Sequence, residues 1–155
     1  MDDWINTAIN ENGIHTPQEH QPWLHEAGRM QRAVDLYRLV HLSLKDAKID
    51  YKIRSQVKDA ALSVSGNIAE GYGRRSINEY LQFLYVSKAS LAVCFSRIVG
   101  LAASEEMGRD QFEEIDSLHY EVENKLLAMI KSLEGKREDG TWSDRIAEDH
   151  PDYKS

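Results

Sequence analysis

The sequence predicts an all-α protein, an antiparallel up-down four-helix bundle with N- and C-terminal extensions. Three observations carry that expectation. Apolar residues recur at alternating three- and four-residue steps in four long segments, the spacing that gathers them on one side of a helix. Only three prolines occur, against an abundance of Ala, Leu, Glu, Lys and Arg, which favours helix and leaves few strand signals. The breaks between the segments are short, as connections between antiparallel neighbours are. A chain of 155 residues, 41% hydrophobic and 29% charged, is long and apolar enough for one domain with a buried core. We divide it into an N-terminal extension at 1–26, the bundle at 27–134 and an acidic tail at 135–155.

The extension contains Gly13, Pro17 and Pro22 among polar residues and is expected to hold one short helical piece at most. Trp4 and Trp23 are its anchors, large enough to pin it to the bundle or to another subunit. His15, His20 and His25 recur every five residues, a step of roughly 140° around a helix, which spreads them apart rather than gathering metal ligands.

The first long helix is predicted over 27–47, with Met30, Ala33, Tyr37, Val40, Leu44 and Ala47 as its core stripe. A charged connection leads to a second helix over 51–70, whose core face holds Ile53, Val57, Ala60, Ala61, Val64 and Ile68. Ser63, Ser65, Gly66 and Ala69 surround that face, so this helix is expected to lie closest to its neighbours. Gly66 in mid-helix is read as a point of close approach.

The second and third helices meet at a corner, Asn67 to Glu79. Gly71 and Gly73 are expected to close the second helix in the left-handed conformation, and Ser76 with Glu79 three residues on reads as a capping box opening the third. Arg74 and Arg75 project from this corner. Asn67 and Glu70 are read as satisfying backbone groups or fixing register. In the third helix Ile77, Leu84, Leu91 and Ile98 repeat every seven residues, widened by Leu81, Phe95 and Leu101. Tyr80, Phe83, Tyr85 and Val86 add apolar surface beyond one core face, which favours assembly into an oligomer. Cys94 on the same stripe is expected to be an inert packed thiol.

The fourth helix, opened by Asp110 after a stop at Gly108, carries Phe112, Ile115, Leu118, Val122, Leu126, Met129 and Leu133, and Gly135 is expected to end it. His119 lies at the edge of its apolar face. In the tail, Trp142 and Ile146 are placed four apart, suited to one turn that docks in a groove.

Net charge is −7, but it is unevenly spread, at −5 over residues 1–27, +6 over 28–100 and −8 over 101–155. The basic middle supplies Lys45, Lys48, Lys52, Arg54 and Lys58 around the first connection, with Arg74 and Arg75 at the second. In an antiparallel bundle these groups lie at opposite ends, and a ring of subunits would repeat each as a basic rim suited to phosphates. Tyr51 and Tyr72 stand beside them, placed either to stack on bases or to pack over helix ends. The sequence shows no phosphate-loop lysine, no nucleophile elbow, no zinc-binding helix motif and no paired cysteines, so neither catalysis nor a cofactor is expected. No apolar stretch reads as long enough to span a bilayer, and the Met-Asp-Asp-Trp start lacks a secretory pattern; a cytoplasmic location is expected.

The residues Asn-Ile-Ala-Glu-Gly, Gly-Arg-Arg-Ser and Ala-Ser-Leu-Ala, taken together, resemble the four-helix-bundle family first noticed as products of intervening sequences in large-subunit ribosomal RNA genes. The resemblance spans residues 27–133 and centres on 67–76. It implies an up-down bundle assembling into rings, often pentamers, with no enzymatic activity. It also implies a distant relation to the accessory protein serving the reverse transcriptase of diversity-generating retroelements. Similar sequences carry an acid after Ser-Leu-Ala, where this chain has Val93. The expected function is a homo-oligomeric accessory protein binding nucleic acid, with structured RNA ahead of DNA. The competing expectation is a protein-interaction adaptor for a reverse transcriptase or another nucleic-acid enzyme.

Overall fold

Proline lacks a backbone N–H and tolerates only the first turn of a helix, where that donor has no partner. The first helix accordingly starts at Pro22. The computed structural model describes the backbone of residues 22–142 and the side chains of residues 30–142. It contains α1 (Pro22–Leu44), α2 (Tyr51–Tyr72), α3 (Ile77–Ala103) and α4 (Arg109–Asp139), with no strand among the described residues. The expected anchors Trp4 and Trp23, the three spaced histidines and Ile146 lie outside the described side chains.

Short connections at 45–50, 73–76 and 104–108 force each helix to run back along the one before it. Contacts α1–α2, α2–α3, α3–α4 and α4–α1 close a square, so α1 and α3 occupy one diagonal; the α2–α3 seam is the most extensive. The bundle is longer at both ends than the sequence indicates. Gly135 does not stop α4, because a single glycine costs a helix interior only about 1 kcal/mol. The stop is Gly140, at φ 67°, and the last turn carries Lys136 and Arg137 beside the negative pole of the helix.

Every helix contributes residues to one continuous core. Leu36, Val40 and Leu44 of α1 meet Val57, Ala61 and Val64 of α2, Leu81, Leu84, Leu91 and Ile98 of α3, and Ile115 and Leu126 of α4. Such side chains each contribute about 1.5–3 kcal/mol on full burial. Ile53 departs from its expected place: it is 42% exposed, in the first turn of α2, while Ile49 from the connection is buried at that end. Tyr80 departs the other way, fully buried rather than on an outer face. By length and composition α3 also suffices to span a membrane, with mean hydropathy 1.4 over an 18-residue window, contrary to the sequence reading. That apolarity is divided here between the core stripe against α2 and α4 and an outer face.

The corner between α2 and α3 differs in mechanism from expectation. Gly73 is right-handed at φ −73°, and Gly71 lies within the helix, buried. A Cβ on Gly71 would sit 2.8 Å from Tyr80 Cδ2, 2.9 Å from Phe83 Cβ and 3.2 Å from the Tyr80 carbonyl oxygen. Its role is close approach, the role expected of Gly66. Gly66 instead faces open space, with nothing within 4 Å of such an atom. Ser76 caps α3 by accepting the Glu79 N–H at 3.5 Å, one arm of the expected box. Asp110 caps nothing; Gly108 holds that position, and its N–H donates to Gln111 Oε1 at 3.4 Å.

The two glycines therefore give opposite mutational outcomes. Gly71→Ala should destabilise by about 1–3 kcal/mol through overpacking, since backbone as well as side chain blocks the site. Gly66→Ala should stabilise by about 0.5–1 kcal/mol by restricting the unfolded chain. Urea midpoints at unchanged m-value distinguish the two signs.

Candidate nucleic-acid interface

At the end of the bundle where α1 hands over to α2, Asp50 caps α2 with Oδ1, which accepts from Lys52 N at 2.9 Å and Ile53 N at 3.3 Å. The cap fixes the direction of the first turn and leaves Tyr51 and Lys52 exposed. Arg54 and Lys58, four residues apart and half-buried, share the side of α2 that faces α1. With Tyr37, Tyr51, Ser55, Asp59 and Leu62 they line a groove of about 180 Å³. Lys45 and Lys48 are exposed on the connection itself. Among the described residues no carboxylate forms an ion pair with Lys45, Lys48, Lys52, Arg54 or Lys58. Asp50 is engaged in the cap, and Asp59 accepts from Ser55 Oγ at 3.5 Å.

The opposite end, about 33 Å away along α2 at 1.5 Å per residue, is built differently. Arg74 pairs with Glu70 one turn back, and its guanidinium lies 4.9 Å from the centre of the Phe83 ring. Glu70 thus neutralises Arg74. The Arg75 carbonyl accepts from Trp142 Nε1 at 3.3 Å. Gly140 turns the chain after α4 so that Trp142 packs against Tyr80, at 6.2 Å between ring centres, while Tyr72 meets Tyr80 edge-on at 6.4 Å. Trp142 docks from an irregular segment, not from the helical turn that the sequence reading pairs with Ile146, which lies outside the described residues, and Tyr72 packs over the helix end. The structure keeps the two basic groups apart, at opposite ends, as the antiparallel path requires.

Between the ends, α2 and α3 are joined by polar side chains that bond across or within the seam. Asn67 Nδ2 donates to the Ser63 carbonyl at 2.7 Å and to Ser63 Oγ at 2.9 Å, Ser63 Oγ meets Ser90 Oγ at 2.9 Å, and Ser87 Oγ donates to the Val64 carbonyl at 2.7 Å. Asn67 bonds back to a mid-helix carbonyl one turn earlier, not to the groups of the turn where the sequence reading places it. Outside the seam lies a shallow groove of about 340 Å³, lined by Ala60, Ser63, Val86, Ala89, Ser90 and Val93, with Gln56, Asp59 and Arg97 at its margin. Val86 and Val93 are exposed there, which agrees with the expected apolar excess on α3. Tyr85, also exposed, donates to Glu134 Oε1 at 2.5 Å, and that bond, ahead of desolvation, raises its pKa.

Among the described residues the remaining titratable groups do not converge. Burial pushes the Cys94 thiol up to about 11, an unreactive state. His119 stacks on Phe95, ring centres 4.1 Å apart, and desolvation lowers its pKa against the opposing pull of Glu123 and Asp116. Among the described residues no group of three His, Cys, Asp or Glu side chains is arranged to hold a metal ion. Sequence reasoning missed the groove at Tyr51, whose walls come from two helices; the i, i+4 pair Arg54 and Lys58 was the available signal.

Short connections, a square of four antiparallel helices and two unlike ends define a small all-α up-down bundle. The profile of the 23S rRNA-intervening sequence protein family matches residues 27–128, two thirds of the chain, and the protein belongs to that family. A solved structure from Bacteroides thetaiotaomicron VPI-5482, described as a protein of unknown function from the S23 ribosomal protein family, shares the fold. It superposes with a TM-score of 0.53 at 22% identity, over 66% of this chain and 91% of that one. No curated protein matches this chain.

Two outcomes follow from the buried groups. Cys94 should stay unmodified by a thiol reagent at neutral pH in the folded protein and react fully in denaturant. Because the folded-state pKa of His119 lies below its ordinary 6.5, its contribution to stability is complete above that value and is lost as pH falls through the folded-state pKa. His119→Phe should flatten the decline of thermal midpoint over this acid window.

Proposed function

We propose that the protein is a non-enzymatic, cytoplasmic, oligomeric helical scaffold that binds nucleic acid, chiefly structured RNA, through its basic helix ends. The observation that carries this reading is the cluster of five cations at the α1–α2 end, none paired with a carboxylate among the described residues. Cations left in water on one surface attract phosphate without reading sequence. The family description, with its 23S rRNA, supports RNA over other polyanions. Arg74 and Arg75 form the second, weaker rim, since Glu70 already offsets Arg74.

The apolar surfaces support assembly with further copies of the chain. Exposed Val34 and Leu42 lie on α1, and exposed Val86 and Val93 border the α2–α3 groove. The two patches lie on different sides of the square, α1 and the α2–α3 seam, as a head-to-tail contact between copies requires. A pentamer is the stoichiometry the family resemblance implies. Each basic end would then recur around the ring, and weak phosphate contacts would act together.

A second reading, a protein-interaction adaptor for a reverse transcriptase or another nucleic-acid enzyme, is favoured by the net charge of −7 and by the neutralised Arg74.

Titrating labelled structured RNA at several salt concentrations tests the first reading. Changing Lys45, Lys48 and Lys52 to Gln should reduce the slope of log K against log salt by about 2–3, whereas Arg74→Ala with Arg75→Ala should change it less. No salt-dependent binding by the intact chain would overturn the first reading and favour the adaptor. Solution mass should exceed that of one chain, and Val86→Glu, on the same groove, should lower it without loss of helicity.

A further inference from the structure

We infer that the groove between α1 and α2 is a site for a single unpaired nucleotide, whose base stacks on Tyr51 while its flanking phosphates meet Arg54 and Lys58. This rests on the nucleic-acid reading above and specifies which form of nucleic acid that end prefers.

Tyr51 is 75% exposed, more than any other large hydrophobic side chain among the described residues. It stands in the first turn of a helix whose cap holds the backbone in place, so only the side chain's own rotamers remain to be ordered on binding. The groove beside it, at about 180 Å³, falls below the roughly 300 Å³ at which sites for whole cofactors or drug-sized ligands begin. A flat ring suits that space. Tyr37 and Leu62 give it apolar walls, and Arg54 and Lys58 put two cations about 6 Å apart along α2, one helical turn. Asp59, held by Ser55 Oγ, is the acid on the lining and repels phosphate from that part of the groove, which leaves the base as the group that enters.

Bases within a duplex are stacked on one another and cannot reach the ring, so duplex binding would draw on the cations alone. An unpaired strand adds a stacking contact that every base can make. The other tyrosines separate this role from mere exposure. Tyr72 is half-buried against Tyr80, and Tyr120, 65% exposed on α4, has Asp116 and Glu123 at helical spacing rather than cations.

The test compares a short uridine oligoribonucleotide, its deoxy counterpart and a blunt RNA duplex of equal length, each labelled and titrated with the full chain. Tyr51→Ala should weaken single-strand binding about tenfold and leave duplex binding unchanged, while Tyr51→Phe and Tyr120→Ala leave both unchanged. Arg54→Gln combined with Lys58→Gln should reduce the single-strand salt slope by about 1.4. A loss on either single strand, ribose or deoxyribose, supports the site. Loss on neither, or equal loss on single strand and duplex, overturns it even when salt-dependent binding by the lysines persists. Failure of the unmodified chain to bind any of the three overturns the site, while the structured-RNA titration above judges the parent reading separately. Unchanged thermal midpoints establish that the variants fold.

Discussion

The absence of a side chain at Gly71 is the constraint on which the rest of this bundle depends. A methyl group there would strike Tyr80 and Phe83 and crowd the Tyr80 backbone. Only because the position is empty can α2 and α3 converge at their shared corner. Convergence at the corner sets the α2–α3 seam, and the seam is then held by short side chains that bond close to the backbone: Ser63 to Ser90, Ser87 to the Val64 carbonyl and Asn67 to the Ser63 carbonyl. Longer side chains on these faces would hold the helices apart. The same small residues leave the exterior of the seam shallow and poor in charge, which is why the apolar excess of α3 opens onto a groove there.

Closing one pair of helices so tightly makes the two ends of the molecule unlike. At the α2–α3 corner the chain is compact, and the space over it is taken by an aromatic group, Tyr72, Tyr80 and Trp142, brought together when Gly140 turns the chain after α4. Its arginines are drawn into that packing through Glu70, Phe83 and the Arg75 carbonyl. At the other end the longer, charged connection leaves lysines in water. Asp50, just ahead of α2, serves as its cap and forms no ion pair with them. The asymmetry is one of packing more than of charge count.

Much of the architecture was legible in the chain because burial repeats with the pitch of the helix. The seven-residue series Leu84, Leu91 and Ile98 and the α4 stripe from Ile115 to Leu133 lie in the core as their spacing requires. Local spacing misjudged the glycines and the ends. Gly66, Gly71, Gly73 and Gly135 look alike as residues, yet one faces water, one faces a tyrosine, one is an ordinary right-handed cap and one passes unnoticed through a helix. Ile53 was misassigned for a related reason: periodicity selects a direction around the axis and says nothing of whether a neighbour reaches that far along it.

Taken alone, the sequence determined the class of fold, the order of the helices, the separation of the two basic groups and membership in a family of such bundles, because these follow from periodicity, short connections and a motif of contiguous residues. The tertiary structure alone decided which glycine sits at the close approach, that Arg74 is paired with Glu70, and that Tyr37 and Tyr51, fourteen positions apart in the chain, line one groove with Arg54 and Lys58. Those are properties of the distance between helices and the register at which they pass. Both are set by the sum of contacts across the seams, which the pattern within any one helix does not contain.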